Sequence, residues 1–280
     1  MQNVKNRVPQ VRFEEFGYCW NYSKLQDVSN YSNGGSFENH VSKSGRYELI
    51  TLKSVNAEGR LVSSERYINI KVSTLVKDTI VMILSEQSPG LLGMTAIIPC
   101  DNKYVLNQRV AEIRPHKGIV SYFLSMAINR NQCYFGRHGA GTKVQNLSKQ
   151  NVENYIFLLP LNTEQQKIGS YFQEIDEAIN LHQQKHEKLV ALKKAMLQKM
   201  FPQNGATTPE IRFKGFSGEW DKKKLGDEAN LLTGKPFESK KFTSSGYFLV
   251  RGINVKRGII DSSKDIAEYW PTSYLSLIHI

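Results

Sequence analysis

Pro9-Gln-Val-Arg12-Phe13-Glu-Glu-Phe16 and Pro209-Glu-Ile-Arg212-Phe213-Lys-Gly-Phe216 stand 200 residues apart and carry one pattern. The match continues outward. Trp20, Lys24, Leu25, Asp27 and Asn30 return as Trp220, Lys224, Leu225, Asp227 and Asn230, and Gly34, Phe37 and Glu38 return as Gly234, Phe237 and Glu238. Positions 9–38 hold 12 identities, one Trp and three Phe among them, more than average composition would produce by coincidence. Farther on the match thins to Tyr47 and Leu49 against Tyr247 and Leu249, then Asn56 and Gly59 against Asn254 and Gly258 across small gaps. A solenoid repeat spans roughly 20–50 residues, so this spacing is no solenoid. It predicts two domains of one kind in tandem, the second copy incomplete.

Between the copies lies a segment of a different kind. Thr163-Glu164-Gln165-Gln166 reads as a capping box, a hydroxyl followed three residues later by Gln, and Pro160 helps to end the strand before it. Apolar residues follow at Ile168, Phe172, Ile175, Ile179, Leu189, Leu192, Met196 and Met200, with His182 and His186 filling the same spacing between them. Such a stripe is the seam of a coiled-coil helix. Pro202 and Gly205 end it. A helix over 163–201 would be roughly 58 Å long, too long for a compact domain to cover the stripe, so a second long helix is the expected partner. His182 and His186 lie one turn apart, yet the Glu of a His-Glu-x-x-His zinc motif is missing. They read as a polar break in the seam, and no metal site is expected.

In the first copy, Tyr47–Leu52, Thr79–Leu84, Val105–Ile113 and Tyr155–Leu159 read as strands, being β-branched or aromatic and bounded by turn residues. Gly118–Ile128 reads as a helix, and Asn33–Ser36 and Gly136–Asn146 as loops. Strands and helices do not alternate regularly, so the expected class is α+β with a mixed or antiparallel β core. The expected boundaries are 1–162 for the first domain, 163–203 for the helix and 204–274 for the partial copy. Leu275–Ile280 departs from the pattern and reads as a translated sequencing-adaptor scar.

The chain of 280 residues carries 37 Lys and Arg against 26 Asp and Glu, a net charge of +11. Residues 1–162 hold 19 basic and 12 acidic side chains, residues 163–201 hold 6 and 5, and residues 202–280 hold 12 and 9. The excess sits in the two flanking copies, which points them, rather than the helix, at a polyanion. The longest apolar run, Ile80–Leu84, is far too short to span a membrane. The N-terminus lacks the apolar core of a secretory signal. Cys19, Cys100 and Cys133 are scattered and odd in number, which fits a reducing cytoplasm better than a disulfide framework.

Chemistry-bearing motifs are absent. No Asp/Asn-Pro-Pro-aromatic motif for amino-methyl transfer occurs, nor a Pro-Asp dipeptide to open a nuclease site. Gly234-Lys235 lacks the upstream Gly of a phosphate loop and runs into Pro236, and Gly139-Ala-Gly141-Thr-Lys143 reads as an adaptable turn. No catalytic residues are assigned.

Four stretches carry a resemblance. Pro209–Trp220 with Lys224–Asp227, Asp78–Ser85, Asn107–Val110 with Ile113–Pro115, and Gln145–Ser148 running through Leu159–Leu161 to Glu164, Gln165 and Ile168 resemble the specificity subunits of type I restriction-modification systems. The similarity covers residues 8 to about 270. Glu14-Glu15 departs where the family often has a basic residue and Gly, as in Lys214-Gly215. The resemblance implies target-recognition domains that each read one half of a split site in double-stranded DNA. It implies paired antiparallel helices that fix the gap, two docked modification subunits that methylate adenine at N6, and restriction subunits that translocate and cleave. S-adenosylmethionine, ATP and Mg²⁺ then belong to the partner subunits, and this subunit needs no cofactor. Two alternatives stay open: a half-size subunit acting as a homodimer through the helix, and a standalone DNA-binding regulator.

The expected DNA contacts are Arg130, Asn131, Gln132, Arg137, His138, Thr142, Lys143, Gln145 and Asn146, where cations and amides interleave with aromatics and glycines. Arg can take guanine, Asn or Gln can take adenine, and Lys holds phosphate. Lys43, Arg46 and Lys53 are secondary candidates. Ile168, Phe172, Ile175, Ile179, Leu189, Leu192, Met196 and Met200 are the expected helix-pairing interface.

Overall fold

The computed structural model describes residues 7–86, 90–231, 233, 234 and 236–272. It divides into two compact units, residues 1–192 and 193–280, the division falling within the long helix. In chain order the first unit contains β1 (Asn21–Lys24), α1 (Leu25–Val28), β2 (Ser29–Asn33), β3 (Tyr47–Ile50), β4 (Tyr67–Ile68), β5 (Ile80–Ile83), β6 (Ser85–Glu86), β7 (Thr95–Ile97), β8 (Tyr104–Leu106) and β9 (Val110–Pro115). There follow α2 (Ser121–Asn129), α3 (Gln132–His138), β10 (Gln145–Asn146), α4 (Lys149–Glu153), β11 (Ile156–Leu159) and the 38-residue α5 (Asn162–Lys199).

β5 organises the unit. Ile80, Val81, Met82 and Ile83 are all buried. A strand sends alternate side chains to opposite faces, so a continuous apolar run needs cover on both. Ile80 and Met82 pack with Ile113, Phe123, Leu124, Ile128 and Phe135 under the helices. Val81 and Ile83 pack with Ile50, Tyr104 and Leu106 of a second sheet. The first sheet runs β2-β9-β5-β7, all antiparallel, and the second runs β4-β3-β8, with β3 parallel to β8. Tyr47, Leu49 and Val105 leave the outer face of the second sheet and meet Ile68, Phe37, Val41, Ile70 and Val72. The result is three apolar layers around two stacked sheets, one sheet capped by helices, as an α+β class requires.

The stretch Val105–Ile113 is not one strand. Val105 belongs to β8 in the three-stranded sheet and Ile113 to β9 in the four-stranded one. Asn107-Gln108-Arg109 turns between them, with Arg109 in the left-handed region at φ 67°. The expected loop 136–146 is largely folded, because Gly136 lies inside α3 and Ala140 bridges back to Asn146. Buried Phe135 supplies the reason, since it locks α3 into the helical layer.

α5 starts at Asn162, so Thr163 stands in its first turn rather than at its cap. At 1.5 Å per residue it is about 57 Å long. Its first turns lie on unit 1. Glu164, 2% exposed, accepts from Arg12 Nε and Nη2 at 2.7 Å each and from Trp20 Nε1 at 3.2 Å. Gln165 accepts from the Val120 N–H at 3.0 Å, and Asp176 pairs with Arg60 at 3.1 Å and takes the Tyr122 hydroxyl. The opening motif of the repeat is thus a clamp on the helix start.

Unit 2 repeats part of this plan. α6 (Leu225–Glu228) corresponds to α1, and β12 (Tyr247–Phe248) pairs antiparallel with β15 (Tyr269–Trp270) as β3 pairs with β4. β13 (Val255–Lys256) and β14 (Ile259–Ile260) form a hairpin, and Trp270 packs on Phe237. Leu25 is 2% exposed and Leu225 is 78% exposed. The core layer that Leu25 joins, with residues of β5, β9 and α2, has no counterpart among the described residues of unit 2. Met196 and Met200 line an apolar groove with Leu197, Ile211, Phe213 and Trp220. Leu275–Ile280 lies outside the described residues. No helix among the described residues is long and apolar enough to cross a membrane.

Candidate nucleic-acid interface

The turn between β8 and β9 is pinned from every side. The Asn107 N–H donates to Ile50 O at 3.1 Å, the Gln108 N–H to Gly35 O at 2.6 Å, and Arg109 O accepts from the Leu84 N–H at 3.0 Å. The end of β2 closes on it, with Gly35 N–H to Leu106 O at 3.1 Å. Only glycine fits that approach, because a Cβ on Gly34 would stand 2.0 Å from the Asn107 carbonyl oxygen. Asn107, Gln108 and Arg109 line a cavity of about 440 Å³ with Glu38, Leu52, Lys53 and Arg66. Arg66 pairs with Glu38 at 3.3 Å, and Asn107 Nδ2 donates to the same carboxylate at 3.2 Å. Lys53, Gln108 and Arg109 are exposed, and their side-chain polar groups are free of partners among the described residues.

The α3–β10 segment lies at the same end of the four-stranded sheet. Leu84 links them, donating to Arg109 O and accepting from the Leu147 N–H at 2.8 Å, and β10 pairs with β6 just beyond β5. Several of the expected contact residues are occupied by the fold. Asn146 Oδ1 accepts from Ser85 Oγ at 2.5 Å, Gln145 pairs opposite Glu86, and Gln132 donates to Asn129 O at 3.3 Å. Asn131 holds the N-cap position of α3. His138 bonds Tyr134 O through Nδ1 at 2.8 Å and stacks on the Tyr134 ring. Arg137, Thr142 and Lys143 are exposed and free among the described residues, and Arg130 is exposed with its charge acting on Tyr155. Lys43 and Arg46 precede β3, at the end of the three-stranded sheet away from Lys53, and Arg46 lies over the Tyr47 ring at 5.2 Å. Burial pushes the phenols of Tyr134, on α3, and of Tyr155, packed against it, above their ordinary range, so they stay neutral anchors.

Asn107, Gln108, Arg109 and Arg66 escaped the sequence reading as site residues. Their signal in the sequence is a polar amide-amide-cation triplet between two apolar runs, which a reading of Val105–Ile113 as one strand passes over.

On α5, Ile168 packs partly into the core of unit 1, whereas Phe172, Ile175, Ile179, Leu189 and Leu192 are 37–54% exposed. His182 and His186 are exposed on the same helix.

A family described as type I restriction modification DNA specificity domain matches residues 19–191, most of the chain and nearly all of unit 1. The chain belongs to that family. Its fold is shared with a solved type I restriction-modification system S subunit from M. genitalium, at 15% identity and a TM-score of 0.53, over 92% of this chain and 64% of that one. An HsdS subunit from Thermoanaerobacter tengcongensis is also similar, at 15% identity and a TM-score of 0.44, over 69% of this chain and 47% of that one. This specificity chain therefore spans less than two thirds of the length of the solved subunits it matches. The family match agrees with the resemblance carried by Asp78–Ser85 and Asn107–Pro115, both within the matched residues.

Proposed function

We propose that this specificity chain is the DNA-reading, non-catalytic subunit of a type I restriction-modification complex, working in the cytoplasm. Unit 1 reads one half of a bipartite site in double-stranded DNA. The observation that carries this reading is the gathering of Lys53, Arg109, Arg137 and Lys143, exposed and without carboxylate partners among the described residues, around one end of the four-stranded sheet. Cations of this kind neutralise phosphates and release counterions.

In this reading, residues 1–162 form the target-recognition domain. Residues 163–203 form a spacer helix that fixes the gap between half-sites, and residues 204–274 form an incomplete second recognition domain. Two modification subunits dock on the frame, bring S-adenosylmethionine and methylate adenine at N6. Restriction subunits bring ATP and Mg²⁺. Co-expression of the chain with its modification subunits, followed by long-read mapping of N6-methyladenine, tests it. A bipartite methylated motif supports the reading, and host DNA without sequence-specific methylation refutes it.

The exposed stripe favours a second assembly, in which two copies of the chain pair through α5 and rebuild a helix pair. An uncovered apolar stripe of this length favours association. Size-exclusion chromatography with light scattering on the full chain should then show a dimer. A monomer at micromolar concentration would remove this assembly and leave the DNA-reading role standing.

A further inference from the structure

We propose that the cavity at the β8–β9 turn reads a DNA base edge, with Gln108 and Arg109 as specificity-determining residues and Lys53 steadying an adjacent phosphate. The proposal rests on the DNA-reading role above and narrows it to named side chains.

Composition of the cavity favours a base over a phosphate. A phosphate only accepts hydrogen bonds, so a phosphate site needs donors and no acceptors. This cavity offers both. Arg109 and Lys53 donate, Gln108 donates and accepts through its amide, and Glu38 accepts. Asn107 is 4% exposed, and its Oδ1 is a buried oxygen with no donor among the described residues. That oxygen has no solvent-accessible surface, so Asn107 holds the turn and leaves base contact to Gln108 and Arg109. A base edge in the major groove presents donors and acceptors side by side, and Gln and Arg are the residues that match adenine and guanine with two bonds each. By contrast, Arg137, Thr142 and Lys143 offer no carboxylate and suit the sugar-phosphate backbone.

Rigidity points the same way. The turn is held by backbone bonds from β3, β5 and β2, and it is sealed by Gly34, which tolerates no side chain. Arg109 holds a left-handed backbone, which costs a non-glycine residue free energy and tends to persist where it aims a side chain. Discrimination between bases needs this fixed geometry, whereas a purely electrostatic contact does not.

The experiment compares wild type, Gln108→Ala and Arg109→Lys, each co-expressed with the modification subunits, by long-read mapping of N6-methyladenine in the host. Arg109→Lys keeps the charge and loses the two-pronged fork. If the cavity reads a base, each variant relaxes the motif at one or two neighbouring positions of a single half-site, with discrimination there falling about 10- to 100-fold. Thermal midpoints near wild type for both variants establish that the fold persists. An unchanged motif in both variants overturns the inference and leaves the DNA-reading role intact. So does a uniform loss of methylation over all sites without a change of motif, which marks a phosphate contact. Absence of any motif in wild type fails the underlying role instead, and the inference with it.

Discussion

Replacing Arg12 by Ala should destabilise unit 1 through the carboxylate it abandons. Glu164 is 2% exposed and takes two of its three hydrogen bonds from the Arg12 guanidinium, at 2.7 Å each, and the third from Trp20 Nε1 at 3.2 Å. Hydrogen bonding to Glu164 in turn pushes the Arg12 pKa above its already high value, so the guanidinium is charged at any working pH. Removing one partner of a buried pair strands the other and costs about 3–5 kcal/mol, while removing both costs much less. Arg12 is itself 11% exposed, so some water reaches the site and the lower end, about 3 kcal/mol, is expected. For a unit of this size each kcal/mol lowers the midpoint by about 2–4 °C, which puts the shift at about 6–12 °C. The chain carries its own control. Arg212 occupies the equivalent place in the repeat, yet among the described residues its side chain bonds only Gly218 O, as Arg12 also bonds Tyr18 O. Arg212→Ala should therefore cost less than about 1 kcal/mol. Calorimetry or circular dichroism on the full chain reads both variants, together with Arg12→Met combined with Glu164→Leu, which should recover part of the loss. Equal midpoint shifts from Arg12→Ala and Arg212→Ala, or a shift under about 2 °C from Arg12→Ala, would refute the argument.

Arg137→Ala combined with Lys143→Ala should weaken DNA binding by the assembled methyltransferase and lower the slope of log K against log salt by about 1.8, about 0.9 for each lost phosphate contact. An unchanged slope in a salt titration counts against both contacts. Gly34→Ala should push the Asn107–Arg109 turn off the end of β2, because the new Cβ would stand 2.0 Å from Asn107 O. A cost of about 1–3 kcal/mol in thermal unfolding is expected, and a wild-type midpoint would show that the approach is looser. Burial raises the phenols of Tyr31, Tyr122, Tyr134 and Tyr155, with Tyr31 pushed up to about 12. The folded state therefore holds these protons more tightly than the unfolded chain. Their contribution to stability is complete below the ordinary phenol pKa of about 10 and is lost as pH rises through each raised folded value, about 12 for Tyr31. Ultraviolet titration should show late-titrating phenols that become ordinary in denaturant, and a single transition near 10 in the folded protein would contradict it.

The duplication was legible because it resides in residue identity, which needs no geometry to compare. Long α5 was legible because a 3.6-residue period is local. What went unread shares a different cause. β8 and β9 are separated by only the Asn107-Gln108-Arg109 triplet, and it is their partners, β3 on one side and β2 and β5 on the other, that divide them between two sheets. Gln145 and Asn146 have the composition of a DNA-contacting loop, yet β6, some 60 residues earlier, claims them as a strand. Local pattern carries no information on which distant strand will compete for a polar side chain. His138 shows the same effect at close range, its ring taken by the Tyr134 one turn back.

By itself, the amino-acid sequence determined the internal repeat, the long striped helix between its two copies and the concentration of positive charge in those copies. Those properties follow from identity, period and composition, each summed over short stretches. Tertiary structure alone decided that Lys53, Arg66 and Arg109 share a cavity with Asn107 and Gln108, and that Arg12 finds Glu164 across 152 positions of chain. Two sheets stacked through β5 bring those residues together, because its apolar run must be buried on both faces and the polar turns are left to meet at the end of the strands.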